Sequence, residues 1–399
     1  MKINKMLLKQ NNVILLIMTI VMSLLYSTSL LKLDTIYAST DSVTNTTSEK
    51  SIPVYMITTR GDFNFPVGES GNGYNNQYQF GDINQLKNDC PTEIVIFVHG
   101  WGNDGFKSKE RLDRVKMSLE NNSYSSPLIG LSWPSDTLWP AAKLIAKENG
   151  PKLANFIIDY VDTCKHQQKK DSIVRLISHS LGARVLLSTL DYLNANSTWN
   201  NNDYKIASIH LLGAAVDNEE VSKNPLDIDG DSTLKHAYGK AIQDEVVRFY
   251  NLYSPEDNML QPKPFKPDNY IYELYPSSFF ENDLALGQSG KDTTIDTQDQ
   301  VSTPPYYEIN VQNQIPAIRN ADAMEDKHYL LCFSGICEFT KKGDYDYGLC
   351  GGYIWDPICR VGIGDNHGGY IGFRNLDNVN LLEDNGVMNI VVKNWESPQ

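Results

Sequence analysis

A chain of 399 residues, 41% hydrophobic and 10% aromatic, has apolar content enough to bury the core of one large α/β domain or two ordinary ones. Its formal net charge of -14 argues against a nucleic-acid partner, because such a surface repels a phosphate backbone. The leader is basic, so its loss leaves the remainder more acidic still.

Lys2, Lys5 and Lys9 precede the apolar run Val13–Leu25 and a stretch ending in Ala38 and Ser39. That order of positive, apolar and small-residue regions reads as a secretory signal peptide over residues 1–38, cleaved after Ala38, with Ile36 and Ala38 at the two specificity positions. Left uncut and extended to Leu31, the run can span a bilayer as an N-in anchor, a reading weakened by Ser23, Tyr26, Ser27, Thr28 and Ser29. Both readings place the body outside the cytoplasm, secreted or held at the cell surface, and cleavage is preferred. Membrane contact is expected only through such an anchor. An even count of six cysteines in an exported chain is first read as disulfides. Sequons at Asn45, Asn121 and Asn196 are compatible with export.

The Ser/Thr-rich stretch 39–51 is a polar linker, and a single ordered domain is expected over 52–399. Val54–Thr59 is predicted as the first strand, and Gly61–Gln85 as loop or short hairpin. Ile94–Val98 is a continuous apolar run, the signature of a strand covered on both faces, and it ends in His99-Gly100-Trp101-Gly102. Lys107–Glu120 carries Leu112, Val115 and Leu119 at helical spacing, Leu128–Trp133 is a strand stopping at Pro134, and Trp139–Cys164 is a helix with a possible break at Pro151. Ile173–Ile177 then runs into Ser178-His179-Ser180-Leu181-Gly182 and a helix bearing Ala183, Val185, Leu186, Leu187 and Leu190. Strands over Ile206–Leu212 and Val246–Tyr253 end in Gly213–Asp217 and Ser254–Asp257. This alternation predicts an α/β fold with a mostly parallel central sheet and helices on both faces. Beyond it the alternation fails. Residues 258–330 form an insert, rich in Pro and Tyr and then polar, that reads as a lid or substrate-binding loops, and 332–359 is a cysteine-rich segment.

The chemistry centres on Ser180. A strand breaking sharply into a helix around a serine lifts the hydroxyl above the sheet edge and sets helix N–H groups behind it. Serine needs a histidine base and usually a carboxylate to orient that base. Asp257 follows a strand end and His367 lies in a glycine-flanked turn, so Ser180, Asp257 and His367 can converge on one sheet edge. Asp217, which follows the preceding strand, is the alternative acid, and its bland reading is a helix cap. Asp257 is preferred because its turn directly overlies the strand end.

Ile94–Gly100, Ser178–Gly182, Leu252–Asp257 and Asn366-His367-Gly368 together resemble the α/β-hydrolase superfamily of serine hydrolases, esterase- or lipase-like, over roughly Ile94 to His367. The departure is Ser178, where the family normally has glycine. The resemblance implies an α/β-hydrolase fold with a large insert before the base. It also implies an oxyanion hole built from the backbone N–H of Leu181 and that of Trp101 or Gly102, each donor worth about 3–4 kcal/mol in barrier height. No cofactor and no metal are implied. In the superfamily's sheet order the strands after Cys90 and Cys164 are neighbours, which brings these two cysteines to one end of the sheet, where they can pair.

Cys332, Cys337, Cys350 and Cys359 lack the close C-x-x-C pairs of zinc ribbons, so two disulfides stiffening the segment before His367 are expected instead. Asp227–Asp231 fails the EF-hand pattern at Tyr238 and reads as a solvated loop. His328 is read as a surface residue of a charged helix. His179 is expected to point away from the hydroxyl, His210 to be a core histidine, and His99 to support the oxyanion loop. The leading function is thus an exported serine hydrolase cleaving a small-molecule or lipid-like carboxylic ester, less readily an amide or thioester, through an acyl-enzyme. The alternative is a non-catalytic surface protein using the same scaffold for adhesion or ligand binding.

Overall fold

The computed structural model describes residues 51–60, 81–137, 139–228, 236–257, 259–260, 262–263, 266–270, 284–315, 367–374 and 382–396. The leader, His328, Asp229–Asp231, most of the tyrosine-rich part of the insert, and Cys332, Cys337, Cys350 and Cys359 lie outside these residues.

Seven strands form one sheet: β1 (Val54–Thr58), β2 (Glu93–Val98), β3 (Leu128–Ser132), β4 (Ile173–His179), β5 (Ser208–Leu212), β6 (Phe249–Tyr253) and β7 (Tyr306–Asn310). Their order is β1-β3-β2-β4-β5-β6-β7 and every pairing is parallel. This is the α/β-hydrolase sheet with helices on both faces. The chain leaves β2 toward β3 and then crosses back to β4 on the other side. The crevice between the carboxyl ends of β2 and β4 is therefore the switch point where open α/β sheets take their ligands.

Side-chain alternation on β2 divides the core. Ile94, Ile96 and Val98 pack with α3 (Trp139–Asp162) and α4 (Gly182–Ala195). Val95 and Phe97 pack on the opposite face with Leu112, Val115 and Leu119 of α2 (Gly105–Asn121) and with Met388 and Val391 of the C-terminal helix Met388–Glu396. Both faces are thus covered, which is why the central strands are continuously apolar.

Three elements differ from the sequence-based expectation. A short helix, α1 (Ile83–Asp89), occupies the end of the span expected to be loop. Asp82 caps it by accepting from the Gln85 N–H at 3.0 Å, and only Ile83 and Leu86 are buried, too few apolar positions to show a period. Helix α3 runs unbroken through Pro151. A proline cannot donate to the carbonyl four residues back, and here the Ser188 hydroxyl of α4 supplies the missing donor to the Lys147 carbonyl at 2.7 Å. Strand β7 lies within the stretch expected to be insert. It is an edge strand, so it alternates instead of running apolar. Tyr307 and Ile309 pack against the core on one face, while Glu308 and Asn310 on the other are exposed; Tyr306, at the start of that second face, is buried against Phe249 with ring centroids 5.4 Å apart.

Cys90 and Cys164 form a disulfide with a Cα separation of 5.5 Å, joining the end of α1 to the turn that follows α3. Both ends meet where β2 and β4 begin. No helix among the described residues is long and apolar enough to cross a membrane.

Candidate active site

Ser180 stands between the end of β4 and the start of α4 with φ at +56°, in the left-handed region that a non-glycine residue enters only at a cost. The surroundings hold it there. Its N–H donates to the Leu212 carbonyl of β5 at 3.0 Å, and its carbonyl accepts from Ala183 at 3.0 Å and Ala215 at 3.2 Å. The position two residues on must be small. A Cβ on Gly182 would lie 2.5 Å from the Val98 carbonyl oxygen and 2.7 Å from that of His99, both backbone atoms that cannot step aside. Ser178, two residues before, sits on β4 in register with Val98 and Leu211. A serine fits there, but its hydroxyl is buried with no hydrogen-bond partner.

The loop after β2 touches the serine directly. A Cβ on Gly100 would come within 2.6 Å of the Ser180 Cβ. This loop is braced from several sides. Trp133 donates its indole N–H to the His99 carbonyl at 2.8 Å, and Asn103 donates to the carbonyls of Gly100 and Trp101, both at 2.9 Å. Trp101 donates its own indole N–H to the Thr137 carbonyl at 2.7 Å. Gly102, named from sequence as an alternative oxyanion donor, commits its N–H to the Ser135 carbonyl at 3.0 Å. Trp101 is the other donor named from sequence in this loop, and Leu181 stands at the N-terminal end of α4.

His99 is part of the brace. Burial, and then the Arg60 guanidinium, push its pKa down to about 3, so the ring is neutral. Nδ1 donates to the Gly100 carbonyl at 2.9 Å and Nε2 accepts from the Trp133 N–H at 3.2 Å. Arg60 in turn spans Ser132, Asp136, the Asn103 carbonyl and Ser108 at 2.7–3.0 Å.

His367 opens a 3₁₀ turn, His367–Ile371, and its Nδ1 lies 2.7 Å from Asp257 Oδ2. Asp257 is fully buried, and its other oxygen accepts from the N–H groups of Met259 at 3.1 Å and Leu260 at 3.2 Å. A carboxylate so held presents one oxygen to the imidazole and keeps the Nδ1–H tautomer, which turns Nε2 into an acceptor. Asp217 takes a different place. It caps the 3₁₀ turn Asn218–Val221, and its carboxylate lies 3.7 Å from Arg184, which pairs with Glu220 through two bonds of 2.9 and 2.8 Å. His210 is a core residue, stacked on Tyr250 at 4.6 Å, with its pKa pushed down to about 3 by burial and then by Arg175.

Three residues near His367 were given no role there by the sequence-based reading. His179, expected to point away from the Ser180 hydroxyl, turns toward His367. Its ring lies 4.6 Å from that of His367, and its Nε2 donates to the His367 carbonyl at 2.8 Å. Tyr370 is buried beneath the turn, where burial and then the Asp257 carboxylate hold its phenol well above the ordinary value. Arg114, 3% exposed on α2, donates to carbonyls of the same turn. Helical spacing gave no signal for it, because Arg114 lies off the Leu112, Val115 and Leu119 stripe of the predicted helix.

Residues 74–263 match a family described as an alpha/beta hydrolase of unknown function (DUF900). That stretch carries His99-Gly100, Ser180 and Asp257 and stops before His367. Among solved structures, phospholipase PlaB from Legionella pneumophila in complex with thio-NAD is similar at 15% sequence identity and a TM-score of 0.25, over 42% of this chain and 39% of that one. The chain thus spans less than half the length of that structure. No curated protein matches this sequence.

Proposed function

We propose, from the premise that this chain is a member of the α/β-hydrolase superfamily, that it is an exported serine hydrolase cleaving a carboxylic ester through an acyl-enzyme. The observation that carries this reading is the Asp257–His367 pair at 2.7 Å, on the sheet edge where Ser180 stands in a left-handed elbow conformation.

In this reading Ser180 Oγ attacks the ester carbonyl carbon and its proton passes to His367 Nε2. Charge developing on the carbonyl oxygen is met by the N–H groups of Leu181 and Trp101, whose loop needs no rearrangement because it is already braced. Collapse of the tetrahedral intermediate expels the alcohol, which takes the proton from His367. Water then repeats the sequence, and the acid leaves with Ser180 regenerated. Asp257 keeps the imidazole in one tautomer and stabilises it while it is charged.

A fluorophosphonate probe tests the assignment. The wild-type protein becomes covalently labelled, and Ser180→Ala does not. A wild-type protein that stays unlabelled sinks the reading and leaves a surface ligand-binding role for the scaffold. The substrate is a small-molecule or lipid-like ester, and a panel of esters graded in acyl length sorts the two. Export is supported by the leader pattern and by the Cys90–Cys164 disulfide. N-terminal sequencing of the mature protein is expected to begin at Ser39, whereas an intact Met1 in the membrane fraction would point to the anchor.

A further inference from the structure

We propose that His179 and Arg114 are positioning residues that lock the backbone under His367 to the elbow and to helix α2, the helix that follows the oxyanion loop. The inference rests on the serine-hydrolase reading above.

The turn that carries His367 is too short to hold itself. Five residues of 3₁₀ turn have almost no hydrogen-bond ladder of their own. Yet six consecutive carbonyls, from His367 to Gly372, are all occupied. The His367 carbonyl accepts from His179 Nε2 at 2.8 Å, and that of Gly368 from Arg114 Nη2 at 2.9 Å. Gly369 and Tyr370 accept from the backbone N–H groups of Gly372 at 3.0 Å and Val387 at 3.1 Å. Ile371 accepts from the Ser118 hydroxyl at 3.2 Å, and Gly372 from Arg114 Nε at 3.1 Å and also from Nη2. His179 and Arg114 thus hold three of the six, and both are buried.

Their origins matter more than their number. His179 is the residue before Ser180, so its bond ties the backbone of the base to the immediate neighbour of the nucleophile. Arg114 lies on α2, whose capping residue Asp104 directly follows the oxyanion loop. The three parts of the candidate site come from distant stretches of chain, and these two side chains tie the His367 turn to the elbow and to the helix that begins just after the oxyanion loop. The chemistry suits the task. A carbonyl only accepts, so His179 must carry its proton on Nε2, and the Arg114 guanidinium supplies Nη2 to both the Gly368 and Gly372 carbonyls and Nε to the latter as well.

The test compares His179→Phe, which keeps a ring against His367 but loses the donor, with His179→Gln, which restores an N–H near the Nε2 position. Hydrolysis of a short p-nitrophenyl ester, the rate of fluorophosphonate labelling and the melting temperature are measured for each. A displacement of about 1 Å can cost about 100-fold in rate, so H179F is expected to lower kcat by about 10–100-fold with KM unchanged, and H179Q to recover to within about threefold of wild type. Arg114→Lys keeps the charge but loses the fork of two nitrogens and with it the Nε donor to Gly372, and its kcat falls in the same direction by a smaller factor. Wild-type kcat in H179F overturns the proposal. If H179F does not fold, R114K decides alone, and wild-type kcat there overturns it. A fall in melting temperature with kcat intact assigns both residues a purely structural role and equally overturns it. Wild-type protein that never labels at Ser180 removes the underlying reading, and this proposal with it.

Discussion

The elbow around Ser180 and the turn around His367 are held by opposite means. At the elbow, backbone closes on backbone. The Ser180 N–H and carbonyl bond to Leu212, Ala183 and Ala215, and the carbonyl oxygens of Val98 and His99 leave no room for a side chain at position 182. At the turn, side chains do the holding, from positions 188 and 254 residues away in the sequence. A structure closed by its own backbone is written in local pattern. One closed by distant side chains can be built on nearly any short glycine-rich segment, and so it leaves little local trace.

The sharpest test of this contrast falls on the two acids. Asp257→Asn keeps the shape of the turn but disturbs the tautomer of His367, and is expected to lower kcat by about 10⁴-fold. Asp217→Asn, which faces Arg184 and Glu220 instead, is expected to leave kcat near wild type and to lower the melting temperature. Equal losses of kcat in the two variants would break the assignment of the acid.

Acid acts next, on the scaffold that both regions share. His99 and His210 are held at a pKa of about 3 in the folded chain, against 6.5 for an exposed imidazole. The unfolded chain therefore binds more protons below pH 6.5, and stability falls as the pH drops from 6.5 toward 3, by about 1.4 kcal/mol per pH unit for each ring. Melting temperatures across that window are expected to decline steadily. A flat profile would mean that neither ring is held neutral.

Within the elbow, Gly182→Ala drives a methyl into two carbonyl oxygens and is expected to destabilise by about 1–3 kcal/mol, read from urea denaturation. A neutral result would mean that the elbow yields more readily than its backbone closure suggests. The smallest effect belongs to Ser178→Gly. It removes a buried hydroxyl that lacks a partner, a gain offset by the greater chain entropy of glycine, so the net change is expected within about 1 kcal/mol. A loss of several kcal/mol would show that the hydroxyl is engaged.

Much of the fold was legible because periodicity reports on neighbours a few residues apart. The continuous apolar runs marked the central strands, and helical spacing marked α2 and α4. Strand β7 was missed because an edge strand alternates like a loop. The passage of α3 through Pro151 could not be read either, because the rescuing donor, Ser188, lies 41 residues away on another helix.

What the sequence determined by itself was the set of parts: an apolar run that must become a covered strand, a serine in a turn with a small residue two places after it, and acids and a histidine at strand ends in a given order. The tertiary structure alone decided the partners. It set Asp257 against His367 across 110 residues, gave Asp217 to Arg184, turned His179 toward His367 and brought Arg114 under the same turn. The physical reason is that backbone conformation and burial follow from local steric and apolar pattern, whereas a hydrogen bond between distant residues depends on strand order and on how helices settle across the sheet.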